Sequence, residues 1–178
     1  MKVAMCDPSL FTGRYDDSLC AAMAGEGAEV ALLGRPMRAT DAIVPRGYRY
    51  EPRFFRRSEA LRRRMGEGRA FRLLKAAEYG LSCVLGDLAP LAGADVAHMQ
   101  WLPLAPADRI MLRRLKGRTA LVHTVHNADA YHADAGVQGR GYRGLLDMFD
   151  ALIVHGGTTR EALERQGVDP KRIHVIPH

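Results

Sequence analysis

Cysteine is scarce: Cys6, Cys20 and Cys83 are the only three in 178 residues. Their odd number and wide spacing exclude a disulfide framework, a zinc ribbon or a Cys-x-x-Cys redox motif, and fit buried thiols in a reducing cytoplasm. Long apolar runs are missing as well. None approaches the ~20 residues needed to cross a bilayer. The N-terminal MKVAMCDPSL has neither the apolar core nor the small-residue cleavage site of a signal peptide. The absence of G-x-G-x-x-G and of a Walker lysine excludes an ordinary dinucleotide site or P-loop. No Ser-His-Asp order or nucleophile-elbow pattern supports covalent hydrolase chemistry. Internal repeats and low-complexity tracts are absent too.

What remains has the composition of one soluble globular domain, 47% hydrophobic and 26% charged, long enough to bury roughly 70% of its unfolded surface. Strand-like and helix-like segments alternate along it. Lys2–Cys6 reads as a first strand closed by Asp7-Pro8, and Asp16 as the N-cap of a helix through Ala24. Glu29–Leu33 reads as a second strand, and Tyr48–Arg53 as a weaker edge strand. Ser58 is expected to cap a short helix through Met65. A longer helix follows from Arg69 to Leu88, with Phe71, Leu74, Leu81, Leu85 and Leu88 near one face. Asp95–Trp101, Thr119–His126, Ala151–His155 and Arg172–Ile176 read as four further strands. Helices are expected over Ala107–Lys116 and Tyr142–Met148, and after a capping box at Thr158–Glu161. This alternation predicts an α/β fold: a Rossmann-like, doubly wound parallel sheet of about seven strands with helices on both faces.

The net charge of +6 is unevenly spread. From Arg46 to Lys75 there are eleven basic residues against three acidic ones, a local +8, so the rest of the chain is slightly acidic. Arg56, Arg57, Arg62, Arg63 and Arg64 are interleaved with Phe54, Phe55, Leu61 and Met65. That mixture is either a solvated helical face or a surface for anionic lipid. Nucleic acid is disfavoured, because no RNA-binding fingerprint accompanies it.

In an open α/β sheet the carboxyl ends of the strands line the ligand crevice. Here those ends are Cys6-Asp7, Gln100-Trp101, His126-Asn127 and His155-Gly156, with the loop around Gly13 beside them. Gly13 is either a turn glycine or a close approach for a phosphate at a helix N-terminus. Gln100 offers a donor and an acceptor to hydroxyls, and Trp101 a face for a sugar ring or for packing. His126 can serve as a hydrogen-bond partner, an acid or base, or a metal ligand. Metal is disfavoured, since His123 and His126 fall on opposite faces of a strand; His123 reads as an interlayer histidine. The long glycine-rich loop NADAYHADAGVQGRG is expected to be mobile or functional.

Four blocks, DVAHMQWLP from Asp95, LVHTVHN from Leu121, FDALIVH from Phe149 and GVDPKRIHVIPH from Gly167, resemble in order and spacing the amino-terminal domain of bacterial glycosyltransferase family 4. The resemblance implies a retaining enzyme of the GT-B fold, two Rossmann-like domains facing a cleft. The first binds the acceptor and the second a nucleotide sugar such as a GDP- or UDP-hexose. It places Gly13, Arg14 and Asn127 near the donor phosphate and sugar, and Tyr15, Gln100, Trp101 and His155 on the acceptor side. His126 would hydrogen-bond the donor sugar near its reacting centre, with no metal or other cofactor required. Many members carry two adjacent glycines in the first loop, where this chain has Gly13-Arg14. A further expectation is that residues 1–178 are the acceptor-side domain alone, inactive without the nucleotide-binding half. The acceptor would be a glycolipid or oligosaccharide at the inner face of the membrane, within surface polysaccharide biosynthesis. A nucleotide-sugar epimerase of the same fold and a non-catalytic flavodoxin-like binding module are the alternatives.

Overall fold

The computed structural model describes residues 1–126 and 141–177. Among these, seven strands form one sheet: β1 (Lys2–Cys6), β2 (Glu29–Gly34), β3 (Arg49–Pro52), β4 (Val96–Met99), β5 (Ala120–Thr124), β6 (Ala151–Val154) and β7 (Ile173–Val175). They lie in the order β3-β2-β1-β4-β5-β6-β7, and every neighbouring pair is parallel. The order reverses between β1 and β4, and there the ligand crevice of a doubly wound sheet opens.

The central strands are continuous apolar runs because both faces are covered. Val3 and Met5 point to one face, where they join Val30, Leu32 and Cys20 of α1 (Gly13–Gly25). Ala4 and Cys6 point to the other, toward a larger core built with helices α3 (Arg69–Leu85), α5 (Ala105–Leu115), α6 (Arg143–Leu146) and α7 (Gly157–Arg165). Two short helices, α2 (Arg56–Met65) and α4 (Ala89–Ala92), flank α3.

The helix starts differ from expectation. Asp16 lies inside α1, which opens at Gly13 after Thr12, and its carboxyl is buried. Ser58 is likewise a buried first-turn residue of α2. The cap of α2 comes instead from α3, whose Glu78 accepts from the backbone N–H groups of Arg57 and Ser58, both at 2.8 Å. Helix α7 opens after Gly156 with no side-chain cap, so the Thr158–Glu161 capping box does not form.

The buried face of α3 also departs from the sequence reading. Phe71, Tyr79 and Cys83 face the core, whereas Leu81 and Leu85 are 60% and 76% exposed. A helical segment with apolar residues on two sides allows either orientation. Tyr79 decides it by donating to the buried Asp108 of α5 at 2.6 Å while packing on Phe55. The loop after β5, residues 127–140 with Asn127, lies outside the described residues.

Candidate functional site

Three strand ends and the β1–α1 segment converge in one cluster of rings. Trp101, just past β4, stacks on His126, just past β5, with centroids 5.0 Å apart and planes 6° from parallel. Phe11 leans on Trp101 at 4.9 Å. Tyr15, from the first turn of α1, meets His126 and His155 edge-on at 5.7 and 5.4 Å. His126 and His155 are 5.4 Å apart. Tyr15, Trp101, His126 and His155 are half-buried and Phe11 is exposed.

Gln100 has a different part from the one expected on the acceptor side. It is fully buried, and its amide is used inside the protein. Nε2 donates to Met5 Sδ at 3.0 Å, which turns Oε1 toward His126 Nε2, also at 3.0 Å. An amide oxygen only accepts, so Nε2 of His126 carries a proton. Gln100 therefore orients the His126 ring.

The cluster is held from below by a chain of hydrogen bonds that the sequence did not reveal. Trp101 Nε1 donates to Thr12 Oγ1 at 3.0 Å, and that hydroxyl donates to Asp16 at 3.3 Å. Asp7 accepts from the backbone N–H groups of Thr12 and Ser9 at 3.0 and 3.2 Å. Asp7 and Asp16 are both fully buried. Burial first, and then the charge of Asp7, pushes the Asp16 carboxyl up to about 9. Burial raises Asp7 also, against the pull of its backbone donors. At neutral pH Asp16 thus keeps its proton and shares it with Asp7 in a hydrogen bond.

Gly13 is the first residue of α1, and a Cβ there would lie 3.0 Å from Ile43 Cδ1. Packing against Ile43 accounts for the missing side chain, and the same position leaves the helix N-terminus facing the crevice. Arg14 beside it is exposed. The preceding loop turns on Leu10, a non-glycine residue with a φ of 51° in the left-handed region. Gly34 makes room for it, since a Cβ at Gly34 would meet Leu10 at 2.8 Å.

His123 lies on the other side of β5, as strand parity requires. It pairs with Met99 O at 2.8 Å and Tyr142 Oη at 3.0 Å and stacks on Phe149, and burial lowers it to about 4. Among the described residues no group of three or more His, Cys, Asp or Glu is placed to hold a metal ion.

The five arginines of the basic segment part company. Arg56 and Arg63 line a groove of about 560 Å³ with Arg38, whose guanidinium is held by Glu59 at 2.6 Å. Arg62 is tied to Glu59 and Glu67. Arg57 and Arg64 are exposed and share a helical face with the exposed Leu61 and Met65. On α3, Leu73, Leu81, Val84 and Leu85 are exposed as well.

The sequence model of glycosyltransferase family 4 matches residues 12–178. The chain belongs to this family. Among solved structures, the family 4 chain is similar to the lipopolysaccharide outer core galactosyltransferase WaaB, with a TM-score of 0.61 and 10% identity over 100% of this chain and 46% of WaaB. It is also similar to a putative UDP-N-acetylglucosamine 2-epimerase from Listeria monocytogenes, with a TM-score of 0.60 and 12% identity over 98% of this chain and 44% of that one. Anabaena HepE in complex with UDP and glucose gives a TM-score of 0.57 and 11% identity, over 99% of this chain and 44% of that one. At these identities the likeness is one of fold, the Rossmann-like half of a GT-B architecture. The family 4 chain spans less than half the length of each of these structures. No curated protein sequence is significantly similar to it.

Proposed function

We propose that this family 4 chain is the acceptor-side domain of a retaining glycosyltransferase that moves a hexose from GDP- or UDP-hexose to a glycolipid or oligosaccharide acceptor. The observation that supports it best is the ring wall at the sheet's switch point, with the His126 ring oriented by Gln100. A wall of exposed Phe11 and half-buried Trp101 and His126 suits the apolar face of a sugar. The His126 ring hydrogen-bonds the transferred hexose near its anomeric carbon. The N-terminus of α1, at Gly13 and Arg14, attracts the donor diphosphate. Tyr15 and His155 border the acceptor. The acceptor hydroxyl attacks from the face that the nucleotide leaves, and the departing phosphate takes its proton. Configuration is thereby retained, and no metal takes part.

The test uses the protein extended through its nucleotide-binding half, with UDP- and GDP-hexoses and membrane lipid extracts as substrates. A glycoside of retained configuration, formed equally well with EDTA present, is the expected product. An inverted linkage would sink the mechanism. The similarity to UDP-N-acetylglucosamine 2-epimerases supports a second reading, and a free epimerised nucleotide sugar without glycoside would decide for it.

The same reading places the protein at the inner face of the membrane. Arg57 and Arg64 beside exposed Leu61 and Met65 supply both apolar area and cations to an anionic leaflet. Each basic side chain near such a surface contributes about 1 kcal/mol. Among the described residues no helix is long and apolar enough to cross a membrane. In liposome flotation the chain should bind anionic but not neutral vesicles, and release with salt. The double change Arg57→Gln, Arg64→Gln should weaken binding roughly tenfold, two such contributions being about 2 kcal/mol at most. Equal binding to neutral vesicles would remove this proposal.

A further inference from the structure

A second recess lies at the rim of the crevice. Its volume is about 200 Å³, and Ser9, Phe55, Arg72, Lys75, Tyr79 and Pro103 are among its walls. Ser9 follows β1 and Pro103 follows β4, the two strands between which the sheet reverses, so the same loops border the recess and the ring wall. Its floor is preorganised. Phe55 is buried with a φ of 53°, a left-handed conformation costly for an aromatic residue. That turn brings the ring under Lys75, whose Nζ sits 4.4 Å from the ring centroid.

Arg72 and Lys75 are one turn apart on α3 and both reach the recess. Among the described residues neither has a carboxylate within 4.0 Å, although thirteen other ion pairs form. The nearby carboxylate Glu59 is engaged by Arg38 through two hydrogen bonds. Asp108 accepts from Tyr79 and the backbone of Leu104, which leaves it turned away from the cations. Lys75 is partly desolvated, and burial lowers its proton affinity. The face of Phe55 offsets part of that cost, about 1 kcal/mol. An ammonium partly withdrawn from water over a ring, lining one recess with a guanidinium and, among the described residues, in no ion pair, is arranged for an incoming anion.

We infer that this recess binds an anionic group, phosphate or carboxylate, carried by the acceptor while its hydroxyl is presented at the ring wall. The inference rests on the acceptor-side reading and narrows it to a class: phosphorylated, lipid-phosphate-linked or uronic acceptors rather than neutral ones. Room for roughly six or seven waters in the recess accommodates such a group with part of its sugar.

Calorimetric titration of the chain with glucose, glucose 1-phosphate, glucuronate and UDP tests it. Glucose 1-phosphate or glucuronate should bind at least ten times more tightly than glucose; the better of the two identifies phosphate or carboxylate. Lys75→Gln and Arg72→Gln should each remove most of that advantage while leaving the affinity for glucose unchanged, and Lys75→Arg should retain it. The melting temperature of each variant establishes that it is folded. Equal binding of glucose and its anionic forms, or an advantage that survives both Gln substitutions, overturns the inference. UDP competing for the same cations also overturns it, because the recess would then belong to the donor. In the enzyme with both halves, Lys75→Gln should raise the acceptor KM with kcat nearly unchanged. Transfer indifferent to Lys75→Gln refutes the recess but not the glycosyltransferase. Anion binding that needs Lys75 supports the recess even if no transfer is found.

Discussion

On the proposed glycosyltransferase reading, replacing His126 by alanine should lower transfer at least roughly a hundredfold, the usual cost of losing one oriented group at a reacting centre. Its cost in stability should be small by comparison. The ring is half-buried and loses stacking on Trp101 and the bond to Gln100. The larger penalty is the buried Gln100 oxygen left without its partner, about 1–3 kcal/mol, or roughly 2–10 °C for a chain of this size. Gln100→Leu, which does not touch the ligand, should lower kcat by about tenfold, because the His126 ring loses the hydrogen bond that orients it. The pair of measurements is turnover per folded molecule and thermal melting. Normal turnover in a His126→Ala enzyme that melts much earlier would make His126 a packing residue.

Stability should be flat between about pH 4 and 6.5 and should fall as the pH rises from 7 to 9. Asp16 holds its proton to about 9 in the native state, whereas an unfolded aspartate releases it near 4. Over that interval the native chain binds more protons, so raising the pH costs stability. Asp108, pushed up to about 7 by burial, acts in the same direction over the lower part of the range. The buried histidines act oppositely. His98 and His123 are held down to about 3 and 4 by burial, while an unfolded histidine takes up a proton near 6.5. Below 6.5 the unfolded chain therefore gains two protons that the native chain refuses, and stability is lost as the pH falls. Between 4 and 6.5 these two protons balance the two retained by Asp16 and Asp108. Above 7 Asp16 is unopposed, at up to about 1.4 kcal/mol per pH unit, or about 5 °C or more by pH 9. Asp16→Asn keeps the donor to Asp7 without the proton, and its melting temperature should change by less than about 2 °C over the same interval. An equal alkaline decline in both proteins would show that the carboxyl pair does not share a proton.

Much of this architecture was legible in the residues. Apolar runs such as Val3–Cys6 and Val30–Leu33, broken by Gly and Pro, identify parallel strands because only strands covered on both faces are apolar throughout. All seven expected strands are present, and the strand ends named from the sequence, Trp101, His126 and His155, do meet. The boundaries of helices were less legible. Asp16, Ser58 and Thr158 have the chemistry of caps, but a cap also needs an open N-terminus at that position. The fold instead buries Asp16 against Asp7, caps α2 with Glu78 from another helix and opens α7 at Gly156.

By itself, then, the sequence determined the alternation of strands and helices, the family, the polar strand ends and the local excess of positive charge. These are properties of neighbouring residues, set by a period of two or 3.6 and by the preferences of each side chain. Tertiary structure alone decided which side chains reach a ligand. Gln100 was turned inward by Met5, Leu81 and Leu85 were turned outward by the Tyr79–Asp108 bond, and Thr12 was made the anchor of Trp101. Each of these rests on a partner 29 to 95 residues away. Such a contact forms only after loop closure has brought the two segments together, at an entropic cost that no local pattern encodes.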